Sequence, residues 1–174
     1  FIIDRAGIVG EDGKTHNGLY DISMFTTIPN YTVIAPTTCD ELIEALEISK
    51  DFDDGPMVIR IPREISFSLE NDEKFQIGKW KEIKKGEKTL FIATGSMLKE
   101  ILSIDEQLKS KKIDGTIVSA ASVKPLDEKY ILDNLDKYDN IFVMEEAYEK
   151  NSFGSSILDF INGMGKRKII NKIA

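Results

Sequence analysis

Between Asp4 and Gly18 the chain reads DRAGIVGEDGKTHNG, a stretch that holds its only histidine, one of its four arginines and an aspartate four residues before the histidine. An imidazole changes charge near neutral pH, so His16 is suited to act as acid, base or hydrogen-bond donor. Asp12 is placed to orient that ring or to touch the same ligand. Gly7, Gly10, Gly13 and Gly18 let the backbone turn tightly or approach a ligand closely. Their spacing matches neither the dinucleotide fingerprint nor the P-loop. A lone loop histidine is most often an ordinary polar surface residue, whereas histidine, aspartate and arginine in one loop favour a site.

A second group of candidates is RIPR, residues 60–63. Pro62 fixes the backbone, so Arg63 leaves the strand end in a defined direction. If the strands carrying Arg5 and Arg63 are neighbours, the two guanidinium forks can converge on one phosphate. The plainer account is a pair of solvated arginines at the sheet rim. Glu145 and Glu146, in MEEAYEKNSFGSS, stand at a predicted strand end before a Gly-Ser helix start. They read as an anion or partner surface or, more plainly, as a solvated strand end. Cys39 is the single cysteine and reads as a small buried or half-buried side chain; it excludes an internal disulfide and lacks the spaced partners of a zinc site. Trp80 reads as packing one part of the chain on the other.

Positioning these groups requires a frame. FII opens an apolar strand, LYDISMFTTI has helical spacing, YTVIAP reads as a buried strand, TCDELIEALEISK as a helix with Thr38 as N-cap, and GPMVIRIPR as another strand. Alternating strands and helices predict a parallel sheet with helices packed on it. Residues 68–77 are polar and without period, which sets a linker between a domain over 1–67 and one over 78–174. In the second, KTLFIATG, GTIVSAASVKP and NIFVMEEA read as strands. SMLKEILSIDEQLKSK, DEKYILDNLDKY with Asp127 as N-cap, and SFGSSILDFING read as helices, giving a doubly wound unit. KRKIINKIA reads as a further strand beginning or ending. The apolar opening without an initiator methionine gives the expectation of a fragment.

The 174 residues are 41% hydrophobic, enough for a real core, and carry a net charge of −7. Residues 1–67 hold twelve acids against five bases, while 68–174 hold eighteen of each, so the whole excess lies in the first part. That balance argues against nucleic acid as a partner. Arginines kept in an acidic region suggest specific pairing with carboxylate or phosphate. No apolar run approaches twenty residues and no signal peptide is visible, so the expectation is a cytoplasmic protein with no membrane span.

DRAGIVGEDGKTHNGLYDISMFTTIPNYTVIAPT, DGPMVIRIPR, IGKW, VKPLDEKYI and the EE…FGSS stretch, in this order, resemble the C-terminal part of the 1-deoxy-D-xylulose-5-phosphate synthase family, thiamine-diphosphate enzymes of the transketolase superfamily. THNGLYD separates it from transketolases proper. The resemblance implies the later half of a pyrimidine-binding parallel-sheet domain followed by a doubly wound transketolase C-terminal-like domain. It also implies a homodimeric transferase that condenses pyruvate with D-glyceraldehyde 3-phosphate, releases CO2 and feeds isoprenoid, thiamine and pyridoxal synthesis. By position, His16 matches the family's active-site histidine and Asp12 an aspartate that contacts the acceptor. Arg5 and Arg63 match arginines that hold the acceptor's phosphate. Thiamine diphosphate and Mg2+ are implied for the full enzyme, held mainly by regions upstream, so the chain alone is expected to be inactive. NSFGS stands where the family has a glycine pair before Phe-Gly-Ser. The chain also stops short of the family's C-terminal helix region, which leaves the last strand expected without a partner. Two kinds of rival remain: a segment of a transketolase or of a 2-oxo acid dehydrogenase β-subunit, and a non-catalytic assembly module.

Overall fold

Strands buried on both faces must be apolar throughout, and the chain supplies several such runs. The computed structural model describes residues 1–10, 12–69 and 73–174. In the first part, β1 (Ile2–Ala6) and β2 (Thr32–Ile34) flank β3 (Met57–Pro62), all parallel, with Ile2 opposite Ile59 and Val33 opposite Val58. Between them run α1 (Asp21–Thr27) and α2 (Cys39–Ser49). The second part has strands β4 (Lys81–Lys84), β5 (Thr89–Ala93), β6 (Gly115–Ser119), β8 (Asn140–Met144) and β9 (Ile170–Ile173), in the order β4-β6-β5-β8-β9. Its helices are α3 (Met97–Ser103), α4 (Asp105–Ser110), α5 (Glu128–Asn134) and α6 (Phe153–Gly163). The remaining strand, β7 (Ser122–Lys124), does not join this sheet; it pairs antiparallel with β2 in the first.

Helix starts follow from local chemistry. The Thr38 hydroxyl accepts from the Glu41 amide, with Asp40 and Glu41 in the positive first turn of α2. The Glu41 carboxylate turns back to accept from the Thr37 amide (2.9 Å) and from the Ser119 hydroxyl (2.9 Å), tying α2 to the second sheet. Asp127 accepts from the Tyr130 amide at the start of α5 and from the Trp80 amide. The Trp80 indole donates to the Ser122 carbonyl, and its ring meets Phe153 edge-on at 5.5 Å. Ile22, Val33 and Ala35 share one buried cluster with Trp80, Leu90, Val123 and Phe153, so the two parts have a common core. Lys124 reinforces the seam by donating to the Thr26 and Ile28 carbonyls at the C-terminal end of α1, where a cation suits the helix dipole. Burial pulls its pKa down.

The structure departs from the sequence expectations in four places. GTIVSAASVKP is two strands rather than one, because the chain changes sheets at two small residues. Ala120 donates to Ala93 of the second sheet, while Ala121 accepts from Ala35 of the first. SMLKEILSIDEQLKSK breaks at Ile104, which leaves helical geometry with φ −105 and ψ 3. KEIK, too polar to read as a strand, becomes an edge strand antiparallel to β6. The last strand is not unpartnered: Ile170 and Ile173 of β9 lie opposite Ile141 and Met144 of β8. None of the described helices is long and apolar enough to cross a membrane.

Candidate functional site

Open α/β sheets bind ligands beyond the carboxyl ends of their strands. There the structure brings three of the four sequence candidates together. Strands β1 and β3 are neighbours, with Ile3 opposite Arg60 and Ala6 opposite Pro62. Between Asp4 and Ala6 the register slips, and Arg5 takes a positive φ of 56°, rare for a side chain with a Cβ. The Asp4 carboxylate accepts from the Arg5 amide at 2.7 Å and supports that bend.

Residues 7–10 and 12–18 lie in the loop above β1. Its base is closed by Gly7 and Gly18: the Gly7 amide donates to the Gly18 carbonyl, and the Gly18 amide lies 3.0 Å from the Arg5 carbonyl and 2.9 Å from that of Gly7. A Cβ on Gly18 would stand 2.5 Å from the Arg5 carbonyl oxygen, so only glycine permits this approach. A Cβ on Gly10 or Gly13 would meet nothing within 4 Å, so those two glycines serve no comparable approach. Inside the loop, the amide of buried Val9 donates to the Asn17 side-chain oxygen, the Asp12 amide to the Val9 carbonyl, and the His16 amide to the Gly13 carbonyl.

This closure swings Asp12 between the two arginines. One carboxylate oxygen accepts from Arg63 Nη1 at 2.9 Å; the other lies 2.9 Å from Arg5 Nε as an ion pair without hydrogen-bond alignment. The arginine side chains are 40% and 47% exposed, so solvent and solutes reach both. Two guanidinium forks converging on one carboxylate show that the spot accepts an oxyanion, the chemistry such forks recognise. His16 ends a short 3-10 turn over Lys14–His16 at the exposed crown of the loop, with Nδ1 3.2 Å from the Thr15 hydroxyl. Asp12 turns both oxygens to the arginines, so it does not orient the imidazole in this state.

Sequence reasoning assigned no separate role to Arg60, the buried member of RIPR. Its Nε donates to Asp21 at 2.7 Å, and its Nη2 reaches Asp21, the Gly18 carbonyl and the Glu146 carbonyl, each at 3.2 Å. It holds the frame under the loop. Neither glutamate of the MEEA motif is a solvated strand end or an open anion surface. Glu145 is 1% exposed and accepts from the Phe153 and Gly154 amides and the Ser152 hydroxyl, capping α6. Burial nevertheless pushes its pKa up. Glu146 accepts from the Ile8 amide of the loop and from the Ser96 hydroxyl. Strand alternation sends adjacent side chains to opposite faces, a signal available in the sequence, but their partners are distant in the chain.

Two family models match the chain: one described as the transketolase pyrimidine binding domain over residues 1–66, the other as the transketolase C-terminal domain over residues 78–172. Among curated relatives, a 1-deoxy-D-xylulose-5-phosphate synthase of Fusobacterium nucleatum is 62% identical over 174 residues, covering 100% of this chain and 29% of the relative. Synthases of the same name from Clostridium perfringens and Thermotoga maritima are each 38% identical, covering 97% and 98% of this chain and 28% of either relative. The chain therefore spans less than a third of the length of these relatives. Among solved structures, a split-gene transketolase described as an inactive β4 tetramer superposes with a TM-score of 0.84 over 99% of this chain and 55% of its own. A transketolase of Campylobacter jejuni superposes with a TM-score of 0.76 over 100% of this chain and 26% of its own. At 22% identity each, these two speak for the fold.

Proposed function

Because the chain belongs to the transketolase family, we propose that it is part of a thiamine-diphosphate-dependent synthase that condenses pyruvate with D-glyceraldehyde 3-phosphate. The reaction releases CO2 and forms 1-deoxy-D-xylulose 5-phosphate. Relatives bearing the name of that reaction, matched over 97% to 100% of this chain, support the reading. The observation that carries it is the Arg5–Asp12–Arg63 cluster, with both ion-pair distances at 2.9 Å. Two half-exposed guanidinium forks at neighbouring strand ends fit the phosphate of a triose phosphate better than an acceptor without one.

In this reading Arg5 and Arg63 bind the phosphate, and Asp12, released from one or both arginines, contacts the body of the acceptor. His16 gives or takes a proton at an oxygen of the substrate. Thiamine diphosphate, when bound, supplies the nucleophilic carbon that carries the unit derived from pyruvate. Among the described residues no three His, Cys, Asp or Glu side chains gather as a metal site. In this reading, as the family resemblance implies, the cofactor and Mg2+ are held mainly by parts of the full-length enzyme outside this chain. The same reading carries a cytoplasmic homodimer that contributes to isoprenoid, thiamine and pyridoxal precursors.

The deciding experiment measures pyruvate-dependent CO2 release by the full-length protein with thiamine diphosphate and Mg2+, with and without D-glyceraldehyde 3-phosphate. Release that depends on the triose phosphate, with a five-carbon deoxy sugar phosphate formed, is the expected result. Ketol transfer between sugar phosphates without CO2 release would assign the chain to a transketolase and both arginines to another acceptor.

A further inference from the structure

The loop that carries Asp12 and His16 is held by residues distant in the sequence. Glu146, two residues past the end of β8, is 138 positions from Ile8, yet its Oε1 accepts from the Ile8 amide at 2.9 Å. Its Oε2 accepts from the Ser96 hydroxyl at 2.7 Å, and its backbone carbonyl accepts from Arg60 at 3.2 Å. The carboxylate also packs closely against Gly7. A Cβ on that residue would stand 2.2 Å from Oε2, and Gly7 has a φ of +81°, so the backbone there is shaped around the glutamate. The residues that follow hold the other side of the loop base: the Tyr148 amide donates to the Leu19 carbonyl, and the Ser23 hydroxyl donates to the Lys150 carbonyl.

We propose that Glu146 is a positioning residue for the arginine–aspartate site, fixing the base of the 7–18 loop so that Asp12 and the two guanidiniums meet. Gly7 pairs with Gly18, and Gly18 with the Arg5 carbonyl, so the glutamate is linked through two backbone steps to the strained residue that carries one fork. On the other side, Ile8 adjoins Val9, whose carbonyl accepts from Asp12. A carboxylate is suited to this place because an amide N–H and a hydroxyl approach its two oxygens separately. Glutamine can do the same if the Ser96 hydroxyl rotates to accept from the new amide. Alanine leaves the Ile8 amide without its partner and the Gly7 backbone without support.

The inference rests on the proposed function for its kinetic readout, and a second readout is independent of it. In the full-length protein, Glu146→Ala should lower kcat/KM for D-glyceraldehyde 3-phosphate about 10-fold or more, the scale of a lost charge-assisted hydrogen bond. KM for pyruvate should stay within about 2-fold, since the change falls on acceptor binding. Glu146→Gln should restore most of the loss, and amides of residues 7–18 should exchange faster with deuterium in the alanine variant only. Should that variant fail to fold, Ser96→Ala, which removes one donor from a half-buried position, should show a smaller loss of the same kind. Equal losses for both substrates, or unchanged amide exchange with an unchanged KM for the triose phosphate, would overturn the role of Glu146. If the wild-type full-length protein shows no release dependent on the triose phosphate, the functional reading fails, and loop exchange in Glu146→Ala alone decides the positioning role.

Discussion

Replacing Asp12 by Asn tests whether the arginine pair is a phosphate fork restrained by its own carboxylate. Each Asp12 oxygen lies 2.9 Å from a guanidinium nitrogen, so the carboxylate puts a negative charge between the two forks. Asparagine keeps the shape and one acceptor but removes that charge. A phosphate dianion within reach of both forks would stand roughly 5 Å from residue 12, where Coulomb repulsion in a water-like dielectric is about 1.7 kcal/mol. Screening at physiological salt roughly halves this to about 1 kcal/mol, or a factor of about 5 in affinity. The arginine side chains are 40% and 47% exposed but Asp12 only 18%, so the water-like dielectric gives the lower limit of the effect. Asp12→Asn in the full-length protein should therefore bind inorganic phosphate at least about 5-fold more tightly by titration calorimetry, with the gain shrinking at high salt. Turnover should fall in the same variant, because the acceptor loses its carboxylate contact. Weaker phosphate binding, or a gain indifferent to salt, would refute the reasoning and make Asp12 an organiser of the fork rather than its competitor.

Three further outcomes follow from the same geometry. His16→Ala in the full-length enzyme should lower turnover about 100-fold or more, the usual scale for an acid–base group; a variant with full rate would remove His16 from the mechanism. Arg63→Ala should raise KM for D-glyceraldehyde 3-phosphate while leaving that for pyruvate nearly unchanged, and an equal rise in both would point to structural damage. Glu145→Ala leaves the Phe153 and Gly154 amides and the Ser152 hydroxyl without their acceptor, which should lower stability by about 3 kcal/mol in urea denaturation. Burial raises the folded-state pKa of Glu145, so its contribution is full below the ordinary glutamate pKa and falls as pH rises through the folded value. The stability gap between wild type and Glu145→Ala should thus narrow from pH 4 toward pH 8, and a widening gap would show that its hydrogen bonds outweigh its burial.

The parts of the fold that the sequence disclosed are those whose cause is local. The strands at Val33, Ile59, Leu90 and Val143 are apolar because both faces are covered, and Thr38 and Asp127 cap their helices through amides three residues away. What escaped depends on distant partners. KEIK becomes a strand only through pairing with β6. Ala120 and Ala121 carry the chain from one sheet to the other because small side chains fit between them, a demand set by tertiary packing. The convergence of Arg5 and Arg63 was legible only as a condition on strand order. That Asp12 would lie between them required the Gly7–Gly18 closure, and Glu146 looked no different from its neighbour until its partners were seen.

The two arginines of RIPR show how burial divides one chemistry between two purposes. Arg60 and Arg63 are three residues apart, and each meets an aspartate at under 3 Å. The Arg60–Asp21 pair is 4% and 7% exposed and has further backbone partners on Arg60. Removing either member would strand a charge in the interior, at a cost of several kcal/mol. That pair is fixed scaffold. The Arg63–Asp12 pair is 47% and 18% exposed, and an ion pair so open to solvent contributes about 1 kcal/mol or less. Asp12 shares a second pair of the same kind with Arg5, whose side chain is 40% exposed, and in the proposed reading it yields to a phosphate, which brings more charge and more oxygens to the same forks. Two acids of the first 67 residues are thus divided between two purposes: Asp21 neutralises a buried arginine under the loop, and in the proposed reading Asp12 is the anion that the substrate's phosphate displaces.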